Sequence, residues 1–349
     1  MQASISTFNK QHPAFPSEFD LVVLTNNKGL IVTLSSYGAS IWSVEHIGDD
    51  GVKVPLTIGY QQIEDWATNP YYFGVTVGRV ANRIGQSRFS IGEEQFKLIE
   101  NEGPNQLHGG PGGFSHRIWR TETKTNDDGV SAFFHLESAD GDQGFPGTLH
   151  TSVEYRLTND NELIINYHAV CDKTTPICLT NHTYWNLSSD ELSGILYHHL
   201  QINADNILAL DDQQIPNGDI QSVSNTCFDF RQPKLVGVDI CEPSNGYDHY
   251  YIVNDHKADQ LNFVAKLTDE ASGREMEILS TEVGVQFYSG NFLDGSYRRE
   301  NGEFINKHQG LCLETHGYPN AVNIEHFPTT IVEKNTPYTQ TTVHRFKHL

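Results

Sequence analysis

Short stretches in which apolar and polar residues alternate recur along the whole chain. They include Leu21–Leu24, Leu30–Leu34, Arg88–Ile91, Ala132–Leu136, Thr148–Leu157, Leu163–Val170, Leu196–Ile202, Tyr250–Val253, Leu261–Leu267 and Glu275–Leu279. A period of two sends successive side chains to opposite faces of a pleated strand, and the β-branched residues in these runs suit that backbone. Turn-forming clusters separate them, among them Asn27-Lys28-Gly29, Asp127-Asp128-Gly129, Asn159-Asp160-Asn161 and Ala271-Ser272-Gly273. Helical spacing is confined to a modest signal around Tyr60–Ala67. Many strands, little helix and 29 glycines predict an antiparallel all-β protein, a large sandwich or a barrel. No tract of Pro, Gly or Ser is long enough for an interdomain linker, and no fixed-period repeat suggests a propeller. The pattern therefore predicts one domain over residues 1–349, with a seam near residue 170 as the alternative.

One predicted strand breaks the apolar pattern. In GLCLETHGYPNAVN at 310–323, Gly310, Cys312 and Glu314 share one side while Leu311 and Leu313 share the other. A carboxylate on such a strand must be paired, hydrated in a cleft or neutralised, because burying it bare costs several kcal/mol. Glu314 is thus a candidate general base, against the plainer reading of a Glu on an exposed strand face.

Bulk composition narrows the partner. With 23 Lys+Arg against 44 Asp+Glu the formal charge is −21, which argues against nucleic acid or an anionic membrane and favours a neutral small molecule. The five cysteines (171, 178, 227, 241 and 312) are odd in number and form no C-x-x-C pair, which predicts reduced thiols in the cytoplasm. The first 20 residues contain no apolar core of a signal peptide, and no run of about 18 apolar residues occurs.

Four further stretches bring polar side chains into glycine-rich or aromatic surroundings. In GRVANRIG at 78–85, Asn82 and Arg83 would project from a tight connection; a guanidinium fork suits vicinal hydroxyls or a carboxylate, and a surface Arg in a turn is the alternative. In NQLHGGPGGF at 105–114, His108 precedes glycines that let backbone approach a ligand, without the Lys-Ser/Thr end of a phosphate loop; a flexible turn carrying a His is the alternative. In TNHTYWNLS at 180–188, His182 stands beside Tyr184 and Trp185, and in NGYDHYY at 245–251 Asp248 and His249 are flanked by tyrosines. Aromatic faces next to amide, carboxylate and imidazole groups suit a sugar, whose C–H face meets the rings while its hydroxyls meet the polar atoms. A core aromatic cluster with a satisfied His is the alternative. The 17 histidines invite a metal reading, yet no H-E-x-x-H or H-x-H occurs, and no G-x-S-x-G elbow appears.

Taken in order, these stretches resemble the aldose 1-epimerase (galactose mutarotase) family. The likeness spans nearly the whole chain and extends to SADGDQGFPG at 138–147 and GVQFYSGNF at 284–292. It implies a β-supersandwich, no metal or organic cofactor, and a neutral aldohexose such as galactose or glucose as substrate, handled by a monomer or homodimer. It further implies that Glu314 is the base at the C1 hydroxyl, that His182 is the acid at the ring oxygen, and that His108 is a second imidazole there. Asn82, Arg83, Asp248 and Gln286 match residues that hold the hydroxyls. Trp185, Thr183 and His316 depart from the commoner Phe, Ser and Gln, which puts the pocket wall and sugar preference in question. The chemistry needs no redox step: a carboxylate and an imidazolium on opposite sides of the ring open and reclose the hemiacetal, each contributing about 10²–10⁴-fold. The alternatives are a hexose-6-phosphate epimerase, which would need more Arg or Lys at the pocket, and a sugar-binding module without activity.

Overall fold

The structure is a computed structural model that describes residues 2–48, 51–188, 194–240, 246–299 and 301–349. Cys241 and Asn245 of the stretches above lie outside the described residues. The long runs of alternating residues form a nine-stranded sheet. Its spatial order is 120–126, 129–138, 149–158, 162–171, 338–347, 275–280, 262–268, 199–202 and 234–235. Alternation is regular in Leu149–Thr158, where Leu149, Val153, Tyr155 and Leu157 point into the core, and in Glu162–Cys171, where Leu163, Ile165, Tyr167 and Ala169 do so. A five-stranded meander covers residues 4–55, and a second five-stranded sheet has the order 216–222, 206–210, 248–252, 284–288 and 312–315.

All three sheets contribute to one apolar core. Val22 and Val32 come from the meander, Phe134, Val153 and Ile165 from the large sheet, and Tyr251, Val285, Phe287 and Leu313 from the smaller one, with Leu311 just ahead of its last strand. Adjacent named strands pair antiparallel, as in Glu154↔Asn166 and Gln286↔Glu314. The fold is a large antiparallel β-sandwich, one of the two architectures the periodicity allows and the one the resemblance implies.

Three expectations need correction. The strand predicted from Leu196 starts at His199, because Leu196 lies in a turn whose carbonyl accepts from the Gly237 N–H. The helix runs Ile63–Thr68 and ends on Asn69 in the left-handed region, whose N–H donates to the Asp65 carbonyl. Tyr338–Lys347, a ten-residue strand in the middle of the large sheet, is absent from the predicted set. Its run TQTTVHRFK contains many polar residues, and these are absorbed by partners: Thr342 meets Thr315 and Ser280, and Gln340 Nε2 donates to the Thr315 carbonyl at 2.9 Å.

The smaller sheet positions the site through its register. Cross-strand partners share a face, so Gln286↔Glu314 and Asp248↔Tyr288 place Glu314, Gln286, Asp248, Tyr288 and Cys312 on one side. The intervening Val285, Phe287, Leu311 and Leu313 take the other side, in the core. Gly284 is required here, since a Cβ would stand 2.4 Å from the Tyr250 ring. Leu313→Ala should lower stability by about 2–5 kcal/mol, the usual cost of emptying a buried leucine site, as read from the urea midpoint at unchanged m-value.

Candidate active site

The open side of these strands floors a cavity of about 260 Å³, at or just below the size typical for drug-sized ligands. All seven candidate residues line it: Asn82, Arg83, His108, His182, Asp248, Gln286 and Glu314. Residues from 82 to 314 therefore converge on one space.

Three chain segments meet the sheet there. Arg83 and Ile84 form a short strand opposite Leu107 and Gln106, and the His108 N–H donates to the Asn82 carbonyl. Asn82 takes a left-handed backbone (φ 61), its Oδ1 accepting from the Arg83 N–H at 2.8 Å and its own N–H donating to His108 Nδ1 at 3.2 Å. With Nδ1 an acceptor, a neutral His108 carries its proton on Nε2. The third segment is held by paired backbone bonds between Trp185 and Leu311 and by the His182 N–H to Val75 carbonyl bond, which together bring His182 beside Cys312.

Glu314 is 3% exposed, which overturns the reading of a Glu on a solvated strand face. Its Oε1 lies 3.6 Å from His182 Nε2, within ion-pair reach and beyond hydrogen-bond distance. The two groups are neighbours, not opposed across the cavity as the sequence reading had them. This suits the hemiacetal opening that the resemblance implies, since O1 and the ring oxygen are bonded to the same carbon. Burial pushes the Glu314 carboxyl well above its ordinary value, with Asp248 adding to the rise and Arg83 opposing it. Burial lowers His182 to about 4 and takes His108 well below 6.5. Both imidazoles are consequently neutral at pH 7 without sugar, in place of the expected imidazolium. On the far side of the His182 ring, Nδ1 meets Cys312 Sγ at 3.5 Å, and burial holds that thiol protonated.

Polar groups for hydroxyls surround this pair. Gln286 Nε2 donates to Asp248 Oδ1 at 2.6 Å, and burial raises the Asp248 pKa. Arg83 grips Glu102 with two bonds, Nε to Oε2 at 2.7 Å and Nη2 to Oε1 at 2.9 Å. Tyr71, Tyr72, Tyr184, Tyr288 and Phe292 supply the aromatic wall. Tyr72 holds a positive φ of 58°, uncommon for a bulky residue, with its ring 4.8 Å from that of His108 and 6.0 Å from that of His182.

Several sequence expectations do not reach the cavity. Trp185 packs in the core against His344 and Phe346, so its departure from Phe leaves the pocket wall unchanged. Thr183 bonds Asn181, and His316 bonds the Gly317 carbonyl beside Tyr250; neither lines the cavity. His249 points away, toward Phe228, and Tyr247 and Tyr251 belong to the core. The glycines after His108 approach protein, not ligand: a Cβ on Gly109 would stand 1.9 Å from the Gly78 carbonyl oxygen. Glu102, Tyr71 and Tyr72 were missed. Pro70-Tyr71-Tyr72 behind a helix end was an aromatic signal of the kind used elsewhere, whereas nothing local distinguishes Glu102.

Ligand atoms of His182, Cys312 and Glu314 lie within 4.8 Å of one another, a set that could hold an ion. However, Nδ1 is turned to Cys312 and Nε2 to Glu314, so no single imidazole nitrogen is aimed at both, and the thiol retains the proton a metal would displace. Arg79 is also accounted for. It is fully buried, and its donors reach Ser138 Oγ and the carbonyls of Ser138, Ala139, Pro146 and Gly147, with none toward the cavity.

The family model described as aldose 1-epimerase matches residues 20–345. Galactose mutarotase of Bos taurus is 39% identical over 318 residues, covering 91% of this chain and 91% of its own. Aldose 1-epimerase of Escherichia coli (strain K12) is 36% identical over 315 residues, 89% of each. The crystal structure of a GalM/aldose epimerase homologue from C. elegans superposes with a TM-score of 0.85 at 30% identity, covering 94% of this chain and 99% of that one.

The burial of both partners fixes an expected titration. In sugar-free protein, ring NMR signals of His182 should stay in the neutral form from pH 7 to pH 5 and change only near pH 4, well below the ordinary 6.5.

Proposed function

This chain belongs to the aldose 1-epimerase family and is an isomerase, a mutarotase, and we propose that Glu314 and His182 carry its proton transfers on free hexoses such as galactose and glucose. The observation that carries the assignment is the 3.6 Å approach of a buried carboxyl to a buried imidazole in one small cavity. Glu314 removes the proton from O1. A C1–O1 double bond forms as the C1–O5 bond breaks, its electron pair going to O5, and His182 delivers a proton to O5. Turning about C1–C2 and running the steps backward gives the other anomer and restores both groups.

Proton count explains how two groups that burial keeps uncharged can act. Carboxylate with imidazolium and carboxylic acid with imidazole hold the same single proton. The first form opens the cyclic sugar and the second is what remains while the sugar is open. The cavity's preference for the uncharged form therefore favours the state in which the open sugar is bound. His108, neutral with Nε2–H available, and Arg83 are placed to donate to oxygens that gain charge on opening. Asp248, Gln286 and Asn82 hold hydroxyls. The reading of a cytoplasmic enzyme is supported by Cys171, Cys178 and Cys312, which are free and buried thiols. No helix among the described residues is long and apolar enough to cross a membrane.

Polarimetry of freshly dissolved α-D-galactose tests the assignment. Glu314→Gln and His182→Gln should each lower kcat by about 10²–10⁴-fold with melting retained; a fully active variant would remove that residue from its role. The pH profile of kcat/KM has a defined sign. Below about 4 His182 takes a second proton while Glu314 remains protonated, and the base is lost. The acid limb should therefore fall near 4, not near 6.5. The alkaline limb should lie where Glu314, raised by burial, gives up the last proton.

A further inference from the structure

Arg83 is the one Lys or Arg among the described residues lining the cavity, whereas Glu102, Asp248 and Glu314 supply three carboxyl groups. In an enclosed site a bare guanidinium would attract any anion that entered. Glu102 prevents this by occupying one edge of the fork with two short bonds, at 2.7 and 2.9 Å. A planar fork matched to a carboxylate in this way is the tightest arrangement the two groups have. Neither bond to Glu102 uses Nη1, so the pair still offers N–H donors for hydroxyls while its net charge is cancelled.

We propose that Glu102 is a specificity-determining residue: by masking the charge of Arg83, it restricts the site to uncharged sugars and excludes uronates and sugar phosphates. This rests on the mutarotase reading of the site. It also gives the hexose-6-phosphate alternative a physical objection, because Arg79 is engaged by carbonyls and Arg83 by Glu102.

The test compares D-galactose with D-galacturonate, by polarimetry and by calorimetric binding, for the wild type, Glu102→Gln and Glu102→Asp. Glu102 has a side chain 35% exposed, so both variants should fold. In Glu102→Gln the uronate-to-galactose ratio of kcat/KM, and of binding constants, should rise about tenfold or more through tighter uronate binding. Added salt should shrink that gain. Glu102→Asp, which keeps the charge, should leave the ratio near that of the wild type. A smaller rise in folded Glu102→Gln, or an equal rise in Glu102→Asp, would overturn the inference. If the wild type binds galactose without speeding its anomerisation, the mutarotase reading fails and the binding ratios still decide the role of Glu102.

Discussion

Desolvation of Glu314 is the constraint around which the site is built. Its strand places Leu311 and Leu313 in the core, and a period of two leaves Cys312 and Glu314 on the reverse side, away from bulk water. A carboxylate so placed is costly, and the neighbouring strands add to that cost by bringing Asp248 to the same face, while Arg83 opposes it. The same burial that makes the anion costly gives it a raised pKa, and the imidazole beside it a lowered one. Packing and proton chemistry here have one cause.

Much of this was legible in the chain because strand periodicity is a local signal. The regular alternation of 149–157 and 163–170 marked the large sheet, and the lone acid among apolar residues at 310–314 marked the site. The convergence of residues from 82 to 314 was supplied by family resemblance alone, since no local pattern encodes which strands become neighbours. Tyr338–Lys347 shows the limit of pattern reading: its threonines and glutamine look solvated until Thr315 and Ser280 meet them. Glu102 shows a second limit. It sits in an ordinary Asn-Glu-Gly-Pro turn, and its importance comes from Arg83 arriving from another loop.

Aromatic residues divide in an instructive way. Tyr184 and Trp185 are adjacent, yet one lines the cavity and the other fills the core, because extended backbone turns neighbours to opposite sides. A cluster of aromatics in sequence is therefore half a binding surface at most. The cavity draws its wall from separate places, Tyr71 and Tyr72 after the helix, Tyr184 beside the acid, Tyr288 on the sheet and Phe292 in the turn that follows it.

The strand Tyr338–Lys347 lies between Glu162–Cys171 and Glu275–Ser280, joining two halves of the nine-stranded sheet, which supports our reading of residues 1–349 as one unit. During synthesis each half displays an open edge of unpaired amides until this segment emerges from the ribosome. Closure of the sheet thus depends on long-range pairing, a slow kind of folding step. Until then the nascent chain carries two sticky borders, and their protection becomes a task for chaperones.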